Sequence, residues 1–238
     1  MIFPVLKNSQ AWALSLIVLL LLNAGCAARR TPPPAANPVA TPTPAAAVVP
    51  TTPATPGTTV LFDGKTLKGW ESSDFAGRGT VTIENGVIKL GLGHMTGITL
   101  TNTNELPRMN YEISLDAMRT DGSDFFCGLT FPVGNEPCSL IVGGWGGGTV
   151  GLSSVDGEDA SQNETTSYMN FTNGKWFHIR VRVEPGKIQA WIDEDRVVNL
   201  DTTDKRFSIR LEVEPSVPLG IATWNTAAAL KNIQLKKL

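Results

Sequence analysis

The stretch Trp176-Phe177-His178-Ile179-Arg180-Val181-Arg182-Val183-Glu184-Pro185-Gly186-Lys187-Ile188-Gln189-Ala190-Trp191-Ile192-Asp193 decides the fold. Glu184-Pro185-Gly186-Lys187 reads as a turn, because proline presets φ at its second position and glycine accepts positive φ at its third. On both sides apolar and polar residues alternate with period two, the pattern of a half-buried strand. Folding about the turn sets Val183 opposite Ile188, Val181 opposite Ala190 and Ile179 opposite Ile192, which makes one continuous apolar face. The other face carries Arg182 with Gln189, Arg180 with Trp191 and His178 with Asp193. There Arg180 over Trp191 forms a cation–π pair, and Asp193 favours the charged imidazole of His178.

The same period extends outward from this hairpin. Val81 to Leu90 contains Asn85-Gly86 between Ile83 and Val87, a hairpin signal because both turn residues tolerate positive φ. Tyr111, Ile113, Leu115 and Ala117 alternate with Glu112, Ser114 and Asp116, so both acids share the polar face of one strand. No helical period competes after Thr59. Residues 59–238 therefore read as a single all-β sandwich, long enough to bury a core.

The chain of 238 residues has a net charge of -2, which lacks the basic footprint of a nucleic-acid binder. Two histidines and three cysteines are too few and too scattered for the usual zinc spacings. The first quarter is of another kind. Lys7 precedes an apolar run from Ala11 to Leu22, interrupted only by Ser15, shorter than the ~20 residues of a membrane-spanning helix and suited to a cleaved leader. Leu22-Asn23-Ala24-Gly25-Cys26 resembles a bacterial lipobox, which implies lipidation of Cys26 after removal of residues 1–25; Asn23 departs from the usual leucine, and an ordinary secretory leader is the alternative. Ala27 is compatible with outer-membrane sorting. Residues 26–58 are rich in Pro, Ala and Thr and lack core-forming side chains, so they read as a solvated tether. At ~3 Å per residue the tether reaches up to ~90 Å. The expected address is thus an exported lipoprotein that meets the membrane only through its anchor. Cys127 and Cys138 are the remaining cysteines, and an oxidising compartment predicts a disulfide between them.

Val60-Leu61-Phe62-Asp63-Gly64-Lys65-Thr66-Leu67-Lys68-Gly69-Trp70 resembles the opening signature of the 3-keto-disaccharide hydrolase domain family. Tyr111-Glu112, Asp124-Phe125-Phe126-Cys127-Gly128-Leu129, Gly174-Lys175-Trp176 and Leu230-Lys231-Asn232-Ile233 continue the resemblance in order to the end of the chain. It implies a concanavalin-like jelly roll and action on 3-keto-glycosidic bonds. The block from Cys138 to Glu164 is similar to planctomycete-type lipoproteins. Members of the family often carry a histidine near the last strands, whereas Gly220-Ile221-Ala222-Thr223-Trp224-Asn225 has none.

Glycosidic cleavage commonly uses one protonated and one ionised carboxyl group. Glu112 is the candidate acid/base, with Asp116, His178 or Asp193 beside it, although Glu112 and Asp116 lie ~13 Å apart along a strand and solvated polar positions on a sheet face are the competing account. Trp191, Trp145, Trp224 and Arg180 are candidate ligand-binding residues, since indole faces stack on sugars; core packing is the alternative for Trp145 and Trp224. The glycine run Gly143 to Gly148 lacks the helix and Lys-Ser/Thr of a phosphate loop. No organic cofactor is implied. Asp156, Glu158 and Asp159, with Asn163 and Glu164, gather oxygen ligands of the kind calcium takes, but without EF-hand spacing, and a solvated acidic loop is the competing account. The sequence leaves two functions open: a hydrolase of 3-keto-glycosides, or a noncatalytic glycan-binding module of the cell envelope. Feeding cells a radioactive fatty acid should label the wild-type chain and leave Cys26→Ala unlabelled.

Overall fold

A computed structural model describes residues 57–238. The leader, Cys26 and the tether up to residue 56 lie outside the described residues. The strands are, in chain order, β1 (Thr58–Val60), β2 (Trp70–Ser72), β3 (Val81–Glu84), β4 (Val87–Leu90) and β5 (Met95–Leu100). The longer β6 (Tyr111–Gly122), β7 (Cys127–Val133), β8 (Glu136–Gly144) and β9 (Thr149–Ser153) follow, then β10 (Ser167–Tyr168). The chain closes with β11 (Trp176–Glu184), β12 (Lys187–Ile192), β13 (Asp195–Asp201), β14 (Gly220–Trp224) and β15 (Thr226–Lys237). A short 3-10 helix, Leu211–Ser216, precedes β14.

These strands form two antiparallel sheets. The first has the order β13-β12-β11-β6-β15-β4-β3, with β1 also paired to β15; the second runs β10-β9-β8-β7-β14-β5-β2. The expected all-β sandwich is therefore present. Thr58, assigned from sequence to the tether, belongs to β1 and pairs with Lys236. The β11–β12 hairpin has the register read from sequence, including Ile179 opposite Ile192 and Arg180 opposite Trp191. In the β3–β4 turn Asn85 and Gly86 both have positive φ, 52° and 79°, as a two-residue type I′ turn requires. The opening signature is architectural. Phe62 is buried, the Asp63 carboxylate accepts the N–H groups of Lys65 and Thr66 (2.7 Å each), and the Trp70 indole N–H donates to the Leu61 carbonyl at 2.7 Å.

The two sheets bury different amounts of their surface. In β6 and β11 buried and partly exposed residues alternate, because the outer face of the first sheet meets solvent. In β5 and β9 every residue is buried, so the second sheet is covered on both faces. The reason lies in one row across its outer side. Gly151, Ile141, Gly128, Ala222 and Gly97 are successive cross-strand partners on β9, β8, β7, β14 and β5. Four of the five have no side chain or a single methyl, so connecting segments lie directly on the backbone. A Cβ added at Gly97 would stand 2.9 Å from the Phe75 ring, at Gly128 3.0 Å from the Phe125 ring, and at Gly151 2.9 Å from the Ala160 carbonyl. The 3-10 helix descends in the same way onto Gly220, where an added Cβ would be 2.7 Å from Ser216.

The expected disulfide is absent, and the register of β7 and β8 explains why. Cys127 pairs with Val142 while Cys138 pairs with Phe131. The two cysteines are thus offset by four residues, or ~13 Å along the strand direction, beyond the ~7 Å that a disulfide spans between Cα atoms. Both are free, wholly buried thiols. Burial alone pushes the Cys127 thiol up to about 12 and that of Cys138 higher still, so neither forms a reactive thiolate at neutral pH. A thiol reagent should titrate Cys127 and Cys138 only after unfolding, and reductant should leave the melting temperature unchanged. A mass two hydrogens lower for the native chain would contradict this.

Candidate functional site

The sequence candidates Glu112, Asp116, His178, Arg180 and Trp191 all fall on the outer face of the first sheet, where β6, β11 and β12 hold them side by side. They are occupied with one another. Glu112 accepts two hydrogen bonds from Arg182, at 2.8 and 3.0 Å, and lies 3.8 Å from Arg180. The guanidinium carbons of Arg180 and Arg182 stand 4.7 and 5.6 Å from the centroid of the Trp191 ring. The expected Arg180–Trp191 pair is present, but two cations cover the indole, so Trp191 offers no bare platform for a sugar. A Glu112 bound by two N–H donors of one guanidinium is likewise a poor acid/base.

His178 departs from expectation too. Its imidazole Nδ1 meets Asp116, opposite it on β6, at 2.7 Å. Asp193 instead accepts the backbone N–H of His178 at 2.9 Å and closes the β12–β13 turn with a positive φ of 53°. Asp116 also accepts the Asn232 amide at 2.6 Å, brought within reach by the register shift of β15 between Lys231 and Gln234. Burial would raise the Asp116 carboxyl, but the bonds from His178 and Asn232, with the nearby charges of His178 and Lys231, outweigh it and hold the group below the ordinary carboxylate value.

A cavity lies on the other sheet. It encloses ≈ 220 Å³ and opens on the outer face of the second sheet. Ile141, Ser139 and Ser153 form its floor, on β8 and β9. Phe125, Trp145 and Trp224 supply aromatic walls, Val213 from the 3-10 helix adds an apolar one, and Asp124, Arg210 and Glu212 bring charge. Two sequence candidates, Trp145 and Trp224, are therefore at this site, while Glu112, Asp116, His178, Asp193, Arg180 and Trp191 do not line it.

Each wall has a local cause. Trp145 is 45 % exposed and has a φ of 48°, a conformation rarely adopted by so bulky a residue. The glycines around it, Gly143, Gly146 and Gly147, also have positive φ, so the whole turn curls and presents the indole to the cavity. Asp124 is oriented by two backbone donors, Phe125 N–H at 2.7 Å and Gly146 N–H at 3.2 Å, the latter from the Trp145 turn. Beneath this loop lies the buried Arg119. Its guanidinium donates to the Asp124 and Phe171 carbonyls, at 3.2 and 2.6 Å, and its Nε to the Asn173 side chain at 2.7 Å. At the other end Arg210 donates to Asp159 at 2.8 Å and to Glu212 at 3.0 Å. The Arg210 hydrogen bond holds Glu212 below the usual carboxylate range, and Glu212, with Asp159, holds Arg210 above its own.

The acidic loop does not converge on an ion. Asp159 turns to Arg210, Asp156 and Glu164 share Lys205 at 3.2 and 2.5 Å, and Glu158 is exposed. Among the described residues no three His, Cys, Asp or Glu side chains gather in a way that could hold a metal ion.

Comparison with known proteins places this architecture. The profile of the 3-keto-alpha-glucoside-1,2-lyase-like domain matches residues 57–236. The chain belongs to that family. Family membership makes it a carbohydrate-active, glycoside-hydrolase-like protein. No curated protein matches the sequence. Among solved structures it is similar to the Crh5 transglycosylase in complex with NAG, at 10 % identity and a TM-score of 0.51 over 76 % of this chain and 83 % of that one. A second resemblance is to a protein reported among endo-acting O-glycanases of human gut bacteria that initiate mucin breakdown, at 14 % identity and a TM-score of 0.50 over 76 % and 100 % of the two chains. A third is the carbohydrate-binding module CBM66 of Bacillus subtilis, at 15 % identity and a TM-score of 0.46 over 71 % and 96 %. At these identities the likeness is one of fold.

Since the folded Asp116 carboxyl titrates below its unfolded value of ~3.9, its contribution to stability is complete above that pH and disappears as pH falls through the folded value. Urea unfolding at pH 7 and at pH 3 should show a smaller acid-induced loss in Asp116→Asn than in the wild type. Equal losses would mean the His178 and Asn232 bonds do not bias that titration.

Proposed function

We propose that the cavity on the second sheet binds a 3-keto-glucoside and cleaves its glycosidic bond by elimination. One observation carries the reading: Phe125, Trp145 and Trp224 face Asp124, Arg210 and Glu212 around a single cavity of the domain. Aromatic rings receive the C–H faces of a sugar, and the charged groups address its oxygens.

The chemistry follows from the substrate class. A carbonyl at C3 acidifies the hydrogen on C2. Removing that proton while the C1–oxygen bond breaks forms a C1–C2 double bond and releases the aglycone without water. Such a reaction needs one base and a cation beside the oxygen on which enolate charge gathers. In this proposal Asp124 takes the C2 proton, Arg210 stabilises the charge on the C3 oxygen, and Trp145 and Trp224 hold the ring. Hydrolysis by a carboxyl pair would need one protonated member, whereas Arg210 keeps Glu212 ionised. That is the support for elimination over the hydrolysis suggested by sequence. An exported position with a lipid anchor at Cys26 belongs to the same proposal, and would place the site where extracellular or envelope glycans are met.

The test is turnover of a 3-keto-disaccharide by the full chain, followed by the ultraviolet absorbance of the unsaturated ketone that elimination produces and hydrolysis does not. Asp124→Asn should lower kcat by on the order of 100-fold or more. Trp145→Ala should weaken binding several-fold, toward tenfold, as expected for loss of a stacking face. Glu112→Gln should leave both parameters unchanged. Release of aglycone without the absorbance would make the reaction a hydrolysis, and binding without release would make the domain a glycan-binding module.

A further inference from the structure

The proposed function puts a sugar ring in the cavity, and this inference rests on that reading. In a pyranose C1 and C4 lie across the ring from each other. An aglycone on C1 has to leave through the open side of the cavity, so the C4 hydroxyl is carried to the floor. Asp124 comes from the connection between β6 and β7 and Arg210 from the segment before the 3-10 helix, both outside the strands. The floor is the sheet itself.

Two floor residues carry hydroxyls. Ser139 on β8 and Ser153 on β9 are cross-strand partners, and both line the cavity. Alternation fixes their direction: Leu140, Val142 and Leu152 belong to the core between the sheets, so Ser139, Ile141 and Ser153 point outward together. Their bonds leave a donor and an acceptor side by side. The Ser153 hydroxyl donates to Asp159 Oδ1 at 3.4 Å, which uses its proton and leaves its lone pairs. Ser139 shares one bond of 2.8 Å with Thr130, its partner on β7. Thr130 does not line the cavity, and Ser139 is the one side-chain partner of its hydroxyl among the described residues, so Thr130 donates to Ser139. A Thr130 proton turned elsewhere would be buried without an acceptor. The Ser139 proton is thereby left for the cavity.

We propose that Ser139 and Ser153 determine specificity by reading the C4 hydroxyl of the sugar: Ser139 donates to its oxygen and Ser153 accepts its proton. A hydroxyl satisfies both serines, hydrogen satisfies neither, and an ether oxygen has no proton to give. Because the floor is made of paired strands, a C4 oxygen that carried a further sugar would have no room to continue. The substrate is therefore a terminal 3-ketoglucosyl unit with its C4 hydroxyl free, not a unit inside a 1,4-linked chain. Neither serine takes part in bond breaking; both act on which ring is admitted.

The test is calorimetric titration of the full chain with non-cleavable C-glycoside analogues of a 3-keto-disaccharide: the parent, its 4-deoxy form and its 4-O-methyl form. The wild type should bind the 4-deoxy ligand roughly tenfold or more weakly than the parent, as expected for the loss of two hydrogen bonds, and the 4-O-methyl ligand not measurably. Ser139→Ala and, separately, Ser153→Ala should lower affinity for the parent and leave less than about threefold between parent and 4-deoxy ligand. Equal binding of the parent and either modified ligand by the wild type, or the same loss for parent and 4-deoxy ligand in both serine variants, would overturn the role of the serines while leaving the cavity as the sugar site. A wild-type chain that does not bind the parent would overturn this assignment and the proposed function together. A 3-keto-disaccharide that is bound with the expected discrimination but not cleaved would overturn the elimination alone.

Discussion

The structure depends on a row of positions where side chains are withheld. Across the second sheet Gly151, Gly128, Ala222 and Gly97 leave the backbone bare on its outer side, broken only by Ile141. Side chains of ordinary size there would lift Phe75, Phe125 and the segment at Ala160 away from the sheet. With them down, the loops form walls over a polar and apolar floor, and the space between them is the cavity. The same close approach gives the second core cluster, in which Phe75, Met95, Val213 and Ala222 pack with Phe125, Ile209 and Trp224. Close packing of this kind transmits position faithfully, so side chains on separate loops are set against one another by the sheet.

The first sheet solves a different problem. Its outer face is open to water and lined with charge, yet the groups are matched almost one to one. Glu112 neutralises Arg182 and part of Arg180, those two guanidiniums share Trp191, Asp116 binds His178 and Asn232, and Lys231 stands 4.2 Å from the Trp176 ring centroid. Each such contact is worth little in water, commonly below ~1 kcal/mol. Together they fix long side chains flat along the strands. A surface so internally satisfied has few unpaired groups to offer a ligand.

The architecture was legible in the sequence because strands write their register in a two-residue period. The Trp176–Asp193 hairpin, the Asn85-Gly86 turn and the buried side of β6 all follow from alternation and turn chemistry. The site was less legible for a physical reason. Glu112, His178 and Trp191 attract attention as residue types, but alternation tells only which face they occupy and not which face is roofed. Arg210 and Glu212 flank the exposed Leu211 at the start of the short 3-10 helix, where there is no two-residue period to read, and their meeting with Asp124 depends on contacts between segments distant in the chain. A signal did exist: Gly97, Gly128 and Gly151 each lie inside a strand and Gly220 opens one, and glycine in a strand marks a close approach by something else. The cysteines teach the same lesson, since counting them suggested a bond that only the four-residue offset between β7 and β8 forbids.

The first strand carries a mechanical consequence. The described chain enters the domain through β1, whose three residues pair with Lys236, Leu235 and Gln234 near the end of β15. Force applied at the start of β1 would meet this three-residue ladder first. Beyond it, β15 is paired along most of its length to β6, so force is passed into the centre of the first sheet. The three-residue β1 ladder thus stands between the N-terminal side of the domain and the long β15–β6 pairing at the centre of the sheet.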